Sequence, residues 1–336
     1  MKKLISLFIS LAFAGSSFAQ MSGYSTSQSN GTTLGANETL TANGIALGNA
    51  VKLRGYINTA LYRNDAGSGT NAYDGTWLNG DMDFLVDLSP VTAEVHLTAG
   101  DSTADSVGLE QAFGRYSFNQ DFHLTFGRQM TVLGFDSDEF TNRYAVTAAY
   151  GLNSRKASVD GFRVNYNNGM FGLILGIHDN YGLNDPTEID GGMAVDLAAS
   201  VMFFPGLEAR LGIANENGST NDDTTQVNGW IAWNPSDLTL AFEFDTIDND
   251  DGSDSWDIML LANYQFSDFF GATLRYSHID VEVGGLNADT DRVTLALLFD
   301  LTENFALNFE YSHAEVDISS SQSSVDELYL QALLSY

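Results

Sequence analysis

From Val51 to Tyr336 the chain alternates apolar and polar residues. In DIMLLANYQFSD, Ile258, Leu260, Ala262, Tyr264 and Phe266 fall on one face. In DFFGATLRYSH, Phe270, Ala272, Leu274 and Tyr276 share a face, with Thr273, Arg275 and Ser277 opposite. A period of two is that of an extended strand, whose successive side chains point to opposite sides. Sixteen such segments can be read, near 51–62, 77–88, 91–99, 108–118, 122–128, 159–167, 170–178, 193–204, 206–214, 225–234, 237–246, 255–266, 269–278, 291–301, 304–313 and 325–336. Each is long enough for a tilted strand to cross a bilayer.

The connections alternate as well. Tight links lie at Ser89-Pro90, Asn119 to Asp121, Asn168-Gly169, Pro205-Gly206, Pro235-Ser236, Ser267-Asp268 and Thr302 to Asn304, where the residue types suit turns. Between them come long polar segments such as DNYGLNDPTEIDGG, DNDDGSDS and AEVDISSSQSS. Phe118, Phe122, Tyr166, Phe171, Phe203, Trp233, Phe266, Phe270, Phe305 and Tyr336 lie on the apolar face near a tight link or the last residue. Short turns, one aromatic girdle and long loops opposite predict an all-β, transmembrane antiparallel up-and-down barrel of about 16 strands over residues 51–336. The last strand, DELYLQALLSY, would pair with the first, so that no edge is left in lipid.

Composition narrows the classes. Residues 1–19 combine Lys2 and Lys3, an apolar stretch and Ser17-Phe18-Ala19, and read as a bacterial signal peptide. After it no apolar run is long enough for a membrane helix. Residues 20–50, rich in Ser, Thr, Gly and Asn, read as a flexible periplasmic segment, with a plug in the pore as the alternative. The 44 Asp and Glu against 14 Lys and Arg oppose nucleic-acid binding. Cysteine is absent, which excludes a disulfide framework.

Several stretches resemble bacterial outer-membrane porins. VKLRGYINTALY is similar to a porin first strand, LEQAFGRYSF and FHLTFGRQMTVLG to the strand pair before the constriction loop, and DGFRVNYNNG to the strand after it. The resemblance implies an outer-membrane location, insertion by the barrel-assembly machinery with Tyr336 in the terminal recognition signal, and a homotrimer.

Sixteen strands enclose a lumen too wide for side chains to fill, so an aqueous channel is expected. The third long loop, 129–157, carries Val132, Leu133, Phe135, Phe140 and Val146 and is expected to fold into the lumen as a constriction. It would bring Asp136, Asp138 and Glu139 opposite Arg54, Arg115 and Arg163. Parity also turns Lys52, Arg210, Arg275 and Arg292 inward, with the acids Asp81, Asp83, Glu94, Asp160 and Glu243. Either a transverse field or simple ion pairing follows from that set.

YSHIDVEV and YSHAEVDI echo each other and read as two equivalent strand exits rather than a His278/His313 metal site. DTIDNDDGSDSWD fails the calcium-loop pattern, because Gly252 would put Ile247 at the first ligand position. No cofactor or metal is expected. Ser277-His278 and Ser312-His313 lie on opposite strand faces, which disfavours a hydrolase. The expected function is a water-filled channel for passive diffusion of small hydrophilic solutes and ions, mildly cation-selective. The alternative is an outer-membrane barrel that binds a surface partner or serves structurally, with its pore occluded. Bilayer lipid is a partner in either case.

Overall fold

The computed structural model describes residues 34–40, 42, 44–66, 72–100, 107–136, 140–149, 158–179, 193–217, 223–250, 252–319 and 321–336. Sixteen long strands follow in chain order. They are β1 (Val51–Ala66), β2 (Tyr73–Leu88), β3 (Val91–Gly100), β4 (Val107–Ser117), β5 (Phe122–Met130), β6 (Ser158–Asn167), β7 (Phe171–His178) and β8 (Ala194–Phe204). The second half comprises β9 (Leu207–Glu216), β10 (Thr224–Trp233), β11 (Leu238–Asn249), β12 (Asp254–Ser267), β13 (Phe270–Val283), β14 (Leu286–Thr302), β15 (Phe305–Ile318) and β16 (Ser321–Ser335).

Each strand pairs antiparallel with its sequence neighbours, and β16 pairs with β1 from Val325↔Ala66 to Ser335↔Tyr56. The sheet is therefore a closed barrel, in which every strand edge is paired. Among the described residues no helix is long and apolar enough to cross a membrane; the strands do so.

The sequence alternation becomes two surfaces. Along β7, Phe171, Leu173, Leu175 and Ile177 face outward and Gly172, Ile174, Gly176 and His178 face inward, without a break. Phe118, Phe203, Trp233 and Phe266 stand exposed at the short-turn rim, the periplasmic one by analogy with such barrels. Ring contacts at 4.8–5.3 Å link Tyr264, Phe266, Phe270 and Phe299 into part of that girdle.

The seam is locked at the last residue. Tyr336 and Gly55 exchange backbone hydrogen bonds of 3.0 Å, and the Tyr336 hydroxyl donates to the Asp81 carbonyl. The ring crosses over Gly55, where any Cβ would lie 2.1 Å from that carbonyl oxygen and 2.9 Å from the hydroxyl. Only glycine admits this close approach.

The extracellular ends differ from the sequence reading. Residues 279–290, expected as a loop, continue β13 and β14 to a turn at Gly284-Gly285, whose φ values of 60° and 76° suit a tight hairpin. AEVDISSSQSS is likewise strand up to a turn at Ser319. Above the lipid both strand faces meet water, so hydrophobic alternation stops while backbone pairing continues.

Candidate functional site: the filled lumen

The loop after β5 folds into the barrel. Thr131, Val132, Leu133, Phe135, Asp136, Phe140, Tyr144, Val146 and Ala149 are all buried. Val132 and Leu133 pack on the inward Val159, Ile174, Ala194, Ala198 and Ala214. Phe135 stacks on Tyr144 at 6.0 Å and meets Trp230 edge-on at 5.3 Å. These apolar contacts explain why the loop departs from the polar composition of the others.

Polar anchors then fix it against the far wall. Gly134 N donates to Asn228 Oδ1 at 2.9 Å and Phe135 N to Glu243 Oε1 at 2.6 Å. Val146 N and Thr147 N both donate to Glu310 Oε2, at 2.6 and 3.0 Å, and Thr147 Oγ1 donates to Glu310 Oε1 at 2.5 Å. Arg275 donates to the Thr147 and Ala148 carbonyls. Backbone amides in a water-poor interior need such acceptors, and charged acceptors bind them most strongly.

A second element enters from the periplasmic end. Over residues 34–40 the segment read as a flexible lead-in is packed inside the lumen. Leu34 is 1% exposed and belongs to the same cluster as Val132 and Leu133. Its carbonyl accepts from Asn167 Nδ2 at 2.8 Å. Asn37 Nδ2 reaches Thr92 and Ser117 hydroxyls at 3.2 Å, and Asn37 Oδ1 accepts from Arg115 at 2.9 Å. Thr39 donates to Glu94, and Lys52 donates to the Ala42 carbonyl at 2.8 Å. The sequence offers this strap only as the lesser alternative to a flexible segment, because its partners are hydroxyls and amides that leave no periodic signature. Residues 20–33 lie outside the described residues.

The expected pore residues are distributed as follows. Asp136 is buried and faces Arg275 Nη1 at 3.3 Å, while its Oδ2 also accepts from Ala149 N at 2.7 Å. It is thus not opposed to Arg54, Arg115 or Arg163. Asp138 and Glu139 lie outside the described residues. Arg163 pairs with Asp196 at 2.6 Å, Arg54 with Asp83 at 2.7 Å, Arg292 with Glu327 at 3.6 Å and Arg210 with Glu208 at 3.6 Å. Arg210 also lies 4.8 Å over the Trp230 ring. Asp160 is corrected: it pairs with Arg128 at 2.8 Å on the outer surface. With a pleat of period two, residues 160 and 163 cannot share a face.

The echoed segments occupy β13 and β15. The Tyr276 hydroxyl and His278 Nδ1 both contact Asp291, and Tyr311 and His313 repeat this on Asp326 at 2.6 and 2.9 Å. Beyond the lipid band, Asp280 and Asp289 face each other across the ladder, and their hydrogen bond holds the Asp289 carboxyl above its usual range.

A closed sixteen-strand barrel with a long third loop folded inside is the architecture of outer-membrane porins. The sequence matches the family model described as "Putative beta-barrel porin-2, OmpL-like" over residues 19–330. The chain belongs to this porin family. It is an outer-membrane β-barrel porin, and the family comprises channels that are usually non-enzymatic. No curated protein sequence matches the chain. Among solved structures, an anion-selective porin from Comamonas acidovorans superposes with a TM-score of 0.64 at 13% identity, covering 85% of this chain and 99% of that one. A Salmonella typhi OmpF structure in complex with daunomycin gives 0.65 at 11% identity, over 86% and 98%. A trimer form of Vibrio cholerae OmpT gives 0.59 at 13% identity, over 86% and 100%. At these identities the likeness concerns the fold.

Proposed function

We propose that this porin is a passive channel for small hydrophilic solutes and ions that prefers cations. The observation that carries the preference is the charge of the interior. Among the described buried residues are twelve Asp or Glu and five Arg. The arginines are drawn into pairs and loop anchors, and Glu243 and Asp245 on β11, which accept from Asn228, gather on one side with Asp257 on β12, Asp245 and Asp257 being directly opposite in register. A confined acidic wall of low dielectric raises the local concentration of cations and repels anions. The anion selectivity in the name of the Comamonas relative belongs to that protein and its own lining.

A second reading has its own support, since loop and strap both occupy the lumen. In it the barrel is closed at rest and conducts only when the strap leaves. Single-channel recording separates the two: steady conductance of the full chain supports the open channel, and conductance only after removal of residues 34–40 supports the closed one. A homotrimer is proposed as the assembly, consistent with the trimeric OmpT form, and cross-linking in detergent tests it.

A further inference from the structure

One row of side chains crosses four strands in the periplasmic half of the lumen wall. Arg54 on β1 donates through Nε to Asp83 Oδ2 on β2 at 2.7 Å. Asp83 Oδ1 lies 3.0 Å from Nδ1 of His96 on β3, and the same Nδ1 lies 2.9 Å from Nε2 of Gln111 on β4. His96 Nε2 is 2.8 Å from Glu94 Oε2. Register places Asp83 directly opposite both Arg54 and His96. Asp81, Asp83, Glu94 and His96 are each at most 4% exposed.

Donor and acceptor chemistry leaves this row incomplete. An ionised carboxylate only accepts, so the contact with Glu94 places a ring proton on Nε2. An amide nitrogen only donates, so Nδ1 receives from Gln111. Nδ1 of that tautomer has no proton for Asp83, and Asp83 Oδ1 is a buried oxygen without a hydrogen-bond donor. The single lone pair of Nδ1 has two claimants, the Gln111 N–H and a positive centre beside Asp83 Oδ1, and only the second also satisfies the buried carboxylate oxygen, so Gln111 yields Nδ1 when such a centre is bound. Asp81 completes the set, since one oxygen of Asp81, one of Asp83 and one ring nitrogen of His96 all lie within 4.8 Å of one another.

We propose that Asp81, Asp83 and His96 form a binding site for a divalent cation of the first transition row. Bonds of about 2.1 Å set neighbouring donors roughly 3.0 Å apart at octahedral angles and roughly 3.4 Å apart at tetrahedral ones, and Nδ1 and Oδ1 are 3.0 Å apart. One imidazole with two carboxylates suits zinc or manganese better than calcium, whose ligands are oxygens. Asp81, Asp83 and Glu94 set three carboxylates against the one guanidinium of Arg54, which contacts Asp83 and Glu94, so a divalent charge balances the row. The Glu94 bonds to His96 and Thr39 make the site contiguous with the strap.

The test titrates Zn²⁺ into the chelator-treated barrel in detergent, followed by calorimetry and by zinc X-ray absorption. The expected result is one tight site per chain with one imidazole and oxygen ligands. Asp83→Asn and His96→Gln should each weaken it by about tenfold or more. Asp289→Asn, in the separate outer group His278, Asp280 and Asp289, should leave it unchanged. The proposal is overturned if the wild type takes up no Zn²⁺, if both lumen variants bind as the wild type does, or if Asp289→Asn abolishes binding. Should Asp83→Asn fail to fold, His96→Gln and the wild-type absorption spectrum decide, and a spectrum lacking imidazole is contrary.

Discussion

Two segments share the lumen and are held there by different forces. The loop, described over 131–136 and 140–149, buries aromatic and aliphatic side chains and ties its amides to Glu243 and Glu310 on strands far from its own stems. The strap, residues 34–40, buries Leu34, binds Arg115 and Glu94 through Asn37 and Thr39, and sets Glu38 near the charge of Arg210. Charge-assisted anchors to several strands together with apolar burial hold the loop firmly in the lumen. A few side-chain bonds near one mouth, with one buried Leu, make an element that can be released at lower cost.

The largest effect should follow removal of the loop. Replacing residues 132–148 with a short Gly-Ser link should raise single-channel conductance roughly twofold or more, while the barrel still shows a heat-dependent gel shift. Unchanged conductance would mean that the loop does not set the narrowest point. Deleting residues 34–40 should raise conductance by less. A larger gain from this deletion than from loop removal would reverse the ranking of the two segments.

Smaller effects separate the anchors. Glu310→Ala removes the acceptor of Val146 N, Thr147 N and Thr147 Oγ1, so it should destabilise loop docking by about 2–3 kcal/mol and produce noisy, flickering conductance. Quiet wild-type traces would place the loop's hold elsewhere. Asn37→Ala should cost about 1 kcal/mol and speed proteolysis of the strap from the periplasmic side, with conductance nearly unchanged. Equal cleavage rates in the variant and the wild type would show that Asn37 does not hold the strap.

The legible and illegible parts of the molecule divide along the same physical line. Strands were legible wherever one face meets lipid, because Leu328, Leu330 and Leu334 then alternate with Glu327, Tyr329 and Gln331. Where β13 to β16 rise above the lipid that constraint lapses, and 279–290 looked like loop. The loop's entry into the lumen could be read from Val132, Leu133 and Phe135, which water would not tolerate in such number. Its partner could not: Asp136 reaches Arg275 through the path of the chain across the barrel, and spacing carries no record of that path. The strap left even less trace, since Asn37 and Thr39 are as common in solvated linkers as in packed ones.

The surplus of interior carboxylates is tested most directly by the reversal potential of the full barrel in a planar bilayer under a KCl gradient. A cation preference should move it toward the potassium equilibrium potential, and the shift should shrink as total salt rises, because screening shortens from roughly 8 Å at 0.15 M to about 3 Å at 1 M. A reversal potential on the chloride side at low salt would mean that the arginines of the lumen outweigh its acids, and would contradict the account.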